Sequence, residues 1–266
     1  MDISLKGNIR PALNRLTHPA SRWILPLSIL IVVLAWDALA RWGGLPAFIL
    51  PAPLKVWERF LLALSDGSLL DNAGATLLEI VLGAFFGVSF ATLTGYLLSK
   101  SRLFERVLSP YLVASQAVPV IAIAPLLVIW FGPGISSKVL ICSLTVFFPV
   151  LVNTIVGLRA VPEHLRDLMR SMHASRFQEM RYLEVPAALP IFLGGLRIGA
   201  TLSVIGAVVG EFAGSDRGLG FLINVARGQF DTALVFVAVF TLVALALGLY
   251  GFVLLLEKRL LRWQKK

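Results

Sequence analysis

The sequence has little charge, one cysteine and three histidines, and each shortage excludes a class of protein. Charged residues make up 15% of the 266 residues, whereas a soluble domain carries about a quarter. This deficit excludes a disordered chain, a nucleic-acid-binding domain and an ordinary cytosolic enzyme. The single cysteine, Cys142, cannot form an intrachain disulfide, and its place in an apolar run is typical of a packing residue.

Motifs for catalysis and metal binding are also missing. No glycine is followed by lysine, so the phosphate-binding pattern Gly-x-x-x-x-Gly-Lys-Ser/Thr is absent. Neither Gly-x-Ser-x-Gly nor His-Glu-x-x-His occurs. His18, His164 and His173 are too scattered for a metal cluster. We therefore expect no catalytic residue, no metal and no cofactor in this chain.

Long apolar runs dominate the sequence instead, with 58% apolar residues and a mean hydropathy of +0.84. Six runs approach the length of about 20 residues that a helix needs to cross a bilayer, about twice that of a membrane barrel strand. They cover residues 23–39, 80–98, 111–131, 139–158, 189–209 and 233–256. The pattern predicts an all-α integral membrane protein whose six transmembrane helices form one domain, residues 23–257. Residues 1–22 and 258–266 are then tails.

Basic residues are unevenly divided between the two sides of these spans. The tails and the loops after the second and fourth spans hold 17 lysines and arginines, the other side holds six, and Arg197 lies within a span. Because cytoplasmic loops collect Lys and Arg, both termini are predicted to be cytoplasmic. The net charge of +9 then reflects membrane orientation and not nucleic-acid binding.

The first run has an alternative interpretation as a cleaved signal peptide. Its triplet Ala38-Leu39-Ala40 has the form of a cleavage site, but Asp37 stands beside it. The run is also long for a signal core of about 7–15 residues. We expect a retained span.

The basic loop between the fourth and fifth spans, about residues 159–188, is amphipathic. Pro162 and Glu163 suit the first turn of a helix. Apolar residues then recur at spacings of three and four: Leu165, Leu168, Met169 and Met172. This helix is expected to stop near His173.

A second helix is predicted directly afterwards. Ser175 and Gln178 have the spacing of a capping box, and Phe177 begins a new apolar stripe. Val185-Pro186 is expected to end this helix, because the residue before proline is pushed out of α geometry. Pro190 is then expected to start the fifth span.

The loop therefore presents an apolar knob with basic edges to the cytoplasm. Such a knob fits insertion into the groove of a partner protein. An amphipathic helix lying on the lipid surface is the alternative.

The sequence of this loop resembles the coupling loop, called EAA, of permeases from ATP-binding-cassette importers. The family pattern reads Glu-Ala-Ala, three residues, Gly, nine residues, Ile, one residue, Leu-Pro. The spacing is the same here, with most identities relaxed. The counterparts in this chain are Asp167-Leu168-Met169, His173, Leu183 and Val185-Pro186. His173 replaces a glycine that allows a corner with positive φ, a conformation that histidine adopts more readily than most residues.

Other segments extend this resemblance over nearly the whole chain. Residues 119–126 with 130–132, 194–197 and 209–212 resemble permeases for nitrate, sulfonates, taurine and vitamin precursors. Residues 217–233 resemble one branch in particular, which carries thiamine-pyrimidine precursors and riboflavin.

The resemblance implies a permease subunit in the cell membrane that translocates a small solute. Riboflavin or a thiamine pyrimidine is the expected solute, with sulfonates, taurine or nitrate as the alternative. Expected partners are a second permease copy in a homodimer, ATPase subunits that bind the ATP, an extracytoplasmic solute-binding protein and membrane lipid. The residues implied to couple to the ATPase are Asp167, Leu168, Met169, Met172, His173, Ser175, Phe177 and Pro186.

The third and fourth spans carry candidates for the substrate path. Pro119 and Pro125 bend the third span and free backbone carbonyls, which a membrane tolerates beside neighbouring helices or a watery cavity. Gln116 precedes the bend, and Asn153 lies in the fourth span. Hydrogen bonding between helices is the alternative role for both polar side chains.

Three charges lie in or beside spans: Glu79, Arg197 and Glu211. We expect Arg197 to snorkel towards the cytoplasm or to form an internal ion pair. A proton-driven carrier would carry a buried relay of carboxylates or histidines, which this sequence lacks. A channel or secondary carrier, a membrane enzyme and a scaffold are therefore the weaker alternatives.

Overall fold

Helices make up all the regular secondary structure in the described part of the chain. The structure is a computed structural model that describes residues 21–101, 106–107, 110 and 119–265. The helices are α1 Ser21–Trp42, α2 Pro53–Ser65, α3 Ser68–Lys100, α4 Val120–Phe131, α5 Ile135–Arg159, α6 Glu163–Ser171, α7 Arg176–Glu179, α8 Val185–Ala213, α9 Leu219–Gly228 and α10 Thr232–Leu260. A π-helical turn, Met180–Glu184, joins α7 to α8, and a 3-10 turn, Arg262–Lys265, follows α10.

Four helical stretches of the described residues are long and apolar enough to cross a membrane: α3, α5, Arg176–Ala213 and α10. They contain the second, fourth, fifth and sixth predicted spans. The first predicted span lies within α1, and α4 contains the second half of the third. Residues 111–118 lie outside the described residues. The all-α prediction is confirmed, while the count of six spans and their direction stay predictions.

α3 begins well before the predicted start of the second span at residue 80. Gly67 separates it from α2 with a φ of 79°, and the Ser68 N–H donates to Asp66 Oδ1 at 2.9 Å. Hydrogen bonds from the side chain and the backbone N–H of Ser68 lower the pKa of the Asp66 carboxyl below its usual value. The helix thus continues beyond its apolar part through polar residues such as Asn72. Glu79 therefore lies inside α3.

The prediction that Val185-Pro186 ends a helix is wrong. Helical structure continues from Arg176 to Ala213, and Pro190 lies inside α8. The Val185 N–H donates to the Met180 carbonyl in the π-helical turn. This wider turn accommodates the proline ring, which would clash with the preceding carbonyls in a regular α-helix.

Close packing of α5 against α3 and α8 forms the centre of the bundle. Both outer helices face α5 with small residues, mostly four apart: Gly83, Gly87, Ala91 and Gly95 on α3, and Gly195, Gly199, Gly206 and Gly210 on α8. A Cβ at Gly83 would overlap the Cβ of Cys142. Cys142 is fully buried there, which confirms its predicted packing role. Small residues allow helix backbones to approach closely in membranes.

Candidate functional site: the two-helix loop and the cavity beside α5

A tight corner at His173 joins α6 to α7, and we call residues 163–179 the two-helix loop. His173 has a φ of 56°. The Ala174 N–H donates to the Met169 carbonyl at 3.0 Å, and the His173 N–H donates to the Arg170 carbonyl at 2.9 Å. These two bonds form a Schellman motif. The predicted corner is confirmed, and His173 supplies its positive φ.

The start of α7 has the capping box that the sequence predicts. The Gln178 N–H donates to Ser175 Oγ at 3.3 Å, and the Ser175 N–H donates to Gln178 Oε1 at 2.7 Å. Each residue thus satisfies one free backbone donor of the other. Ser175 therefore fixes the direction in which α7 leaves the corner.

Three apolar side chains of the two-helix loop point into solvent. Leu168, Met172 and Phe177 are 55%, 70% and 61% exposed. Asp167 is also exposed and lies 3.2 Å from Arg170 Nη1. Met169 is half-buried. The loop thus carries an apolar surface with charged neighbours, which suits a protein groove.

A buried carboxylate fixes the two-helix loop to the rest of the bundle. Glu184 is 1% exposed and lies 2.9 Å from Arg166 Nη1 of α6. Both Glu184 oxygens also accept bonds from Lys100 Nζ, at the end of α3, at 2.7 Å. Arg166 Nη2 donates to the Leu158 carbonyl of α5 at 2.8 Å. The ends of α3 and α5, α6 and the start of α8 are therefore joined through one carboxylate.

This anchor was not predicted from the sequence. Glu184 stands directly before Val185-Pro186, so its position near the bundle was visible. Its partner Lys100 lies 84 residues away along the chain, and the neighbours of Glu184 in the sequence do not show that its carboxylate is buried. Pro186 itself is half-buried at the start of α8.

A cavity of about 760 Å³ lies between α4, α5 and α8. Pro119 and Asn153, two of the predicted path residues, both line it. The other lining side chains are almost all apolar, with Thr145 as a further polar group. This size and character fall within the range of small-molecule sites, roughly 300–1,000 Å³.

Asn153 hydrogen-bonds within its own helix and packs against a neighbouring one. Its Nδ2 donates to the Pro149 carbonyl of its own helix at 2.8 Å, and its Cβ lies against Gly195 of α8. The same side chain lines the cavity. Pro125 lines a neighbouring groove of about 470 Å³. Gln116 lies outside the described residues.

Charged side chains inside the bundle also have defined surroundings. Arg197 of α8 forms an ion pair with Glu257 of α10, and such a pair is one of the two arrangements predicted for it. At the other end of α8, Glu211 is buried beside Glu79 and Lys138. Glu211 accepts bonds from Thr76 and from the Gly220 backbone N–H. These residues hold helices together.

Comparison with known proteins identifies the class of the chain. A family model described as "Binding-protein-dependent transport system inner membrane component" matches residues 80–262. The riboflavin transport system permease protein RibX of Chloroflexus aurantiacus is 45% identical over 95% of this chain and 94% of its own length. The formylaminopyrimidine transport permease protein ThiX of Halalkalibacterium halodurans is 40% identical over 90% of this chain and 95% of its own.

A solved structure shares the fold. The inward-facing methionine ABC transporter MetNI matches with a TM-score of 0.64 and 19% identity, over 73% of this chain and 96% of the MetNI chain. The family description names a binding-protein-dependent system, so such a chain is a transport component that works with ATPase subunits and a solute-binding protein. The helical bundle, the family model and the relatives agree. The chain belongs to the binding-protein-dependent transport system inner membrane components, as a multi-pass permease subunit of an ATP-binding-cassette importer.

Proposed function

We propose that the two-helix loop is the surface on which the ATPase subunit acts. The observation that carries this proposal is the combination of exposure and anchoring. Leu168, Met172 and Phe177 are exposed for a partner's groove, while the Glu184 carboxylate fixes the loop to the bundle. A force on the exposed side would therefore reach α3 and α8 instead of bending the loop.

The remaining predicted coupling residues have supporting roles in this proposal. His173 and Ser175 shape the corner, and Asp167 offers a charge at its edge. Pro186, with the π-helical turn, connects the loop to α8 without a break in the helix. Movement of the loop would then be passed to a helix that lines the cavity.

The proposed assembly follows from this arrangement. Six spans would place both termini and the two-helix loop in the cytoplasm, where the ATPase is found. The ATPase subunits would bind all the ATP, since this sequence has no Gly-Lys pair for a phosphate-binding loop. A second copy of this chain would cover the open side of the cavity and complete a homodimer.

The proposed solute is riboflavin, or a related heterocyclic vitamin precursor such as a thiamine pyrimidine. The relatives named for riboflavin and formylaminopyrimidine transport support this choice. The cavity agrees with it, because apolar walls with Thr145 and Asn153 suit a flat aromatic ring with a few polar edges. Pro119 and Asn153 would line the path, followed by Pro125 in the next groove.

Uptake of labelled riboflavin tests the solute and the assembly together. Cells would express this chain with its ATPase and its solute-binding protein, and unlabelled thiamine pyrimidine and taurine would compete. Uptake that needs all three proteins and resists both competitors is the expected result. Uptake of a competitor alone would overturn the proposed solute, and uptake with this chain alone would contradict the need for an ATPase.

Aspartate substitutions test the loop. Leu168→Asp with Met172→Asp should abolish association with the ATPase, because charge replaces the exposed apolar surface. Trp263→Asp, at a 53% exposed side chain outside the loop, is the matched control and should leave association unchanged. Normal association of the double variant would contradict the proposed role of the loop.

A further inference from the structure

The first turn of α9 is held by side chains from two other helices. The Gly218 N–H donates to Asn72 Oδ1 at 2.8 Å, and the Leu219 N–H donates to Thr76 Oγ1 at 2.8 Å. The Gly220 N–H donates to Glu211 Oε2. Such donors at a helix start have no partner within the helix itself. Here α3 supplies two acceptors and α8 supplies the third.

Thr76 and Glu211 act as one unit in this arrangement. The Thr76 hydroxyl donates to Glu211 Oε1 at 2.6 Å while its oxygen accepts the Leu219 N–H. Glu211 is 1% exposed and Thr76 is fully buried. A carboxylate at a helix N-terminus is also favoured by the helix dipole. We call Asn72, Thr76 and Glu211 the α9 clamp.

The glycines of this turn show how closely the chain surrounds the carboxylate. A Cβ at Gly218, where φ is 110°, would overlap the carboxyl group of Glu211. A Cβ at Gly220 would lie 2.7 Å from Glu211 Oε2. Only residues without a side chain fit at both positions. The turn is therefore built around Glu211.

The far end of α9 is fixed as well. Asp231 follows it and caps α10 through the Leu234 N–H at 3.0 Å. Arg59 of α2 lies 2.7 Å from the same carboxylate. Side chains from other helices therefore hold the chain on both sides of α9.

The α9 clamp and the cavity lie on nearly opposite faces of the same part of α8, since residues two apart on a helix differ by about 200°. Val209, two residues before Glu211 on α8, lines that cavity together with Ile198, Leu202 and Ile205. We propose that Glu211 is a positioning residue that fixes α9 to α8, so that α9 moves with the cavity-lining face of α8 during transport. The part about transport rests on the proposed function, whereas the clamp itself does not.

Hydrogen exchange of the full-length protein tests the clamp. Glu211→Gln should speed exchange of the amides of residues 218–220 by about tenfold or more, since a charge-assisted bond is lost. Glu58→Gln is the control, because it removes an exposed carboxylate on α2 and leaves the surroundings of Glu211 unchanged. It should leave these amides as protected as in the wild type. Equal effects of the two variants, or none from Glu211→Gln, would overturn the clamp.

A threonine pair gives a second test that does not change charge. Thr76→Val should also speed exchange at 218–220. Thr92→Val, on the same helix, is its control, because the buried Thr92 hydroxyl has no hydrogen-bond partner among the described residues. Since Thr76 and Glu211 are in contact, the effects of Thr76→Val and Glu211→Gln should be less than additive. Additive effects would overturn their action as one unit.

The reconstituted importer tests the link to transport. The wild-type amides should stay protected both without nucleotide and in the ATP-trapped state. Glu211→Gln should raise the ATP hydrolysed per solute imported about tenfold at an unchanged amount of complex, and Glu58→Gln should not. A normal ratio with fast exchange would overturn the transport role. Failure of the wild type to import any solute, with the exchange difference intact, would instead contradict the proposed function.

Discussion

Arg166 and Glu184 form an ion pair of 2.9 Å that joins the first helix of the two-helix loop to the start of α8. Glu184 is almost completely buried, and Arg166 is 24% exposed. The carboxylate also holds Lys100 at the end of α3. An exposed loop that must transmit force needs such a fixed base, and these residues provide it.

Replacing Glu184 tests this base. Glu184→Gln should weaken the attachment of the loop by about 1–3 kcal/mol, because two cations lose their charged partner. Limited proteolysis should then cut residues 163–179 faster, and ATP hydrolysis should continue with less transport. Glu163→Gln, at an exposed position of α6, is the control. An uncut loop with normal transport in Glu184→Gln would show that the anchor is dispensable.

Glycine in place of His173 should make the corner of the two-helix loop more stable. His173→Gly should stabilise the loop by about 1 kcal/mol, because only glycine adopts positive φ without a steric penalty. Met172→Gly, where φ is −84°, should destabilise it by a similar amount. Thermal unfolding of the purified protein measures both. Loss of transport in a stable His173→Gly variant would mean that the imidazole has a chemical role.

Gly83 should tolerate no side chain. Gly83→Ala places a methyl group on the Cβ of Cys142 and should cost roughly 1–3 kcal/mol. Cys142→Gly removes that atom and should partly rescue the variant, whereas Cys142→Ala should not. Gly248→Ala on α10 is the control, since a Cβ there meets nothing within 4 Å. The folded fraction after heating in detergent ranks these variants, and no rescue by Cys142→Gly would argue against this contact.

Removing one partner of the ion pair between Arg197 and Glu257 should destabilise the protein more than removing both. Glu257→Met leaves Arg197 without its counter-charge and should destabilise the protein. Arg197→Met together with Glu257→Met should recover most of this loss, because no unpaired charge remains. The amount of folded protein in isolated membranes measures the effect. A double variant as poor as the single one would show that packing against Tyr250, 5.6 Å away, matters more than charge.

Replacing Asn153 should change the affinity for the solute. Asn153→Leu keeps a similar shape against Gly195 but removes a polar group from the cavity wall. The KM for uptake should rise about tenfold, the loss expected for one buried hydrogen bond, with little change in kcat. Val152→Leu, also in the wall, alters shape without polarity and is the control. Equal KM values for Asn153→Leu and the wild type would remove Asn153 from the path.

Most of the correct predictions depend on features of a short stretch of sequence. The apolar runs gave four of the helices that are long enough to cross a membrane, because length and hydropathy are properties of one segment. The corner at His173 and the capping box at Ser175 also depend on neighbours within a few residues. The helix end predicted at Val185-Pro186 was wrong, although that prediction also rested on a local signal. A π-helical turn removed the local conflict, and nothing in the sequence indicated that choice.

The sequence by itself determined the membrane class, the apolar helices and the corner of the two-helix loop, since these follow from hydropathy, spacing and capping. Only the tertiary structure decided which residues are joined across the bundle. Glu184 meets Lys100 from 84 residues away, and Glu211 meets Thr76 from 135 residues away. Such contacts depend on how α3, α5 and α8 pack. That packing depends on small residues that let backbones approach, and no local pattern specifies the partner that will lie opposite.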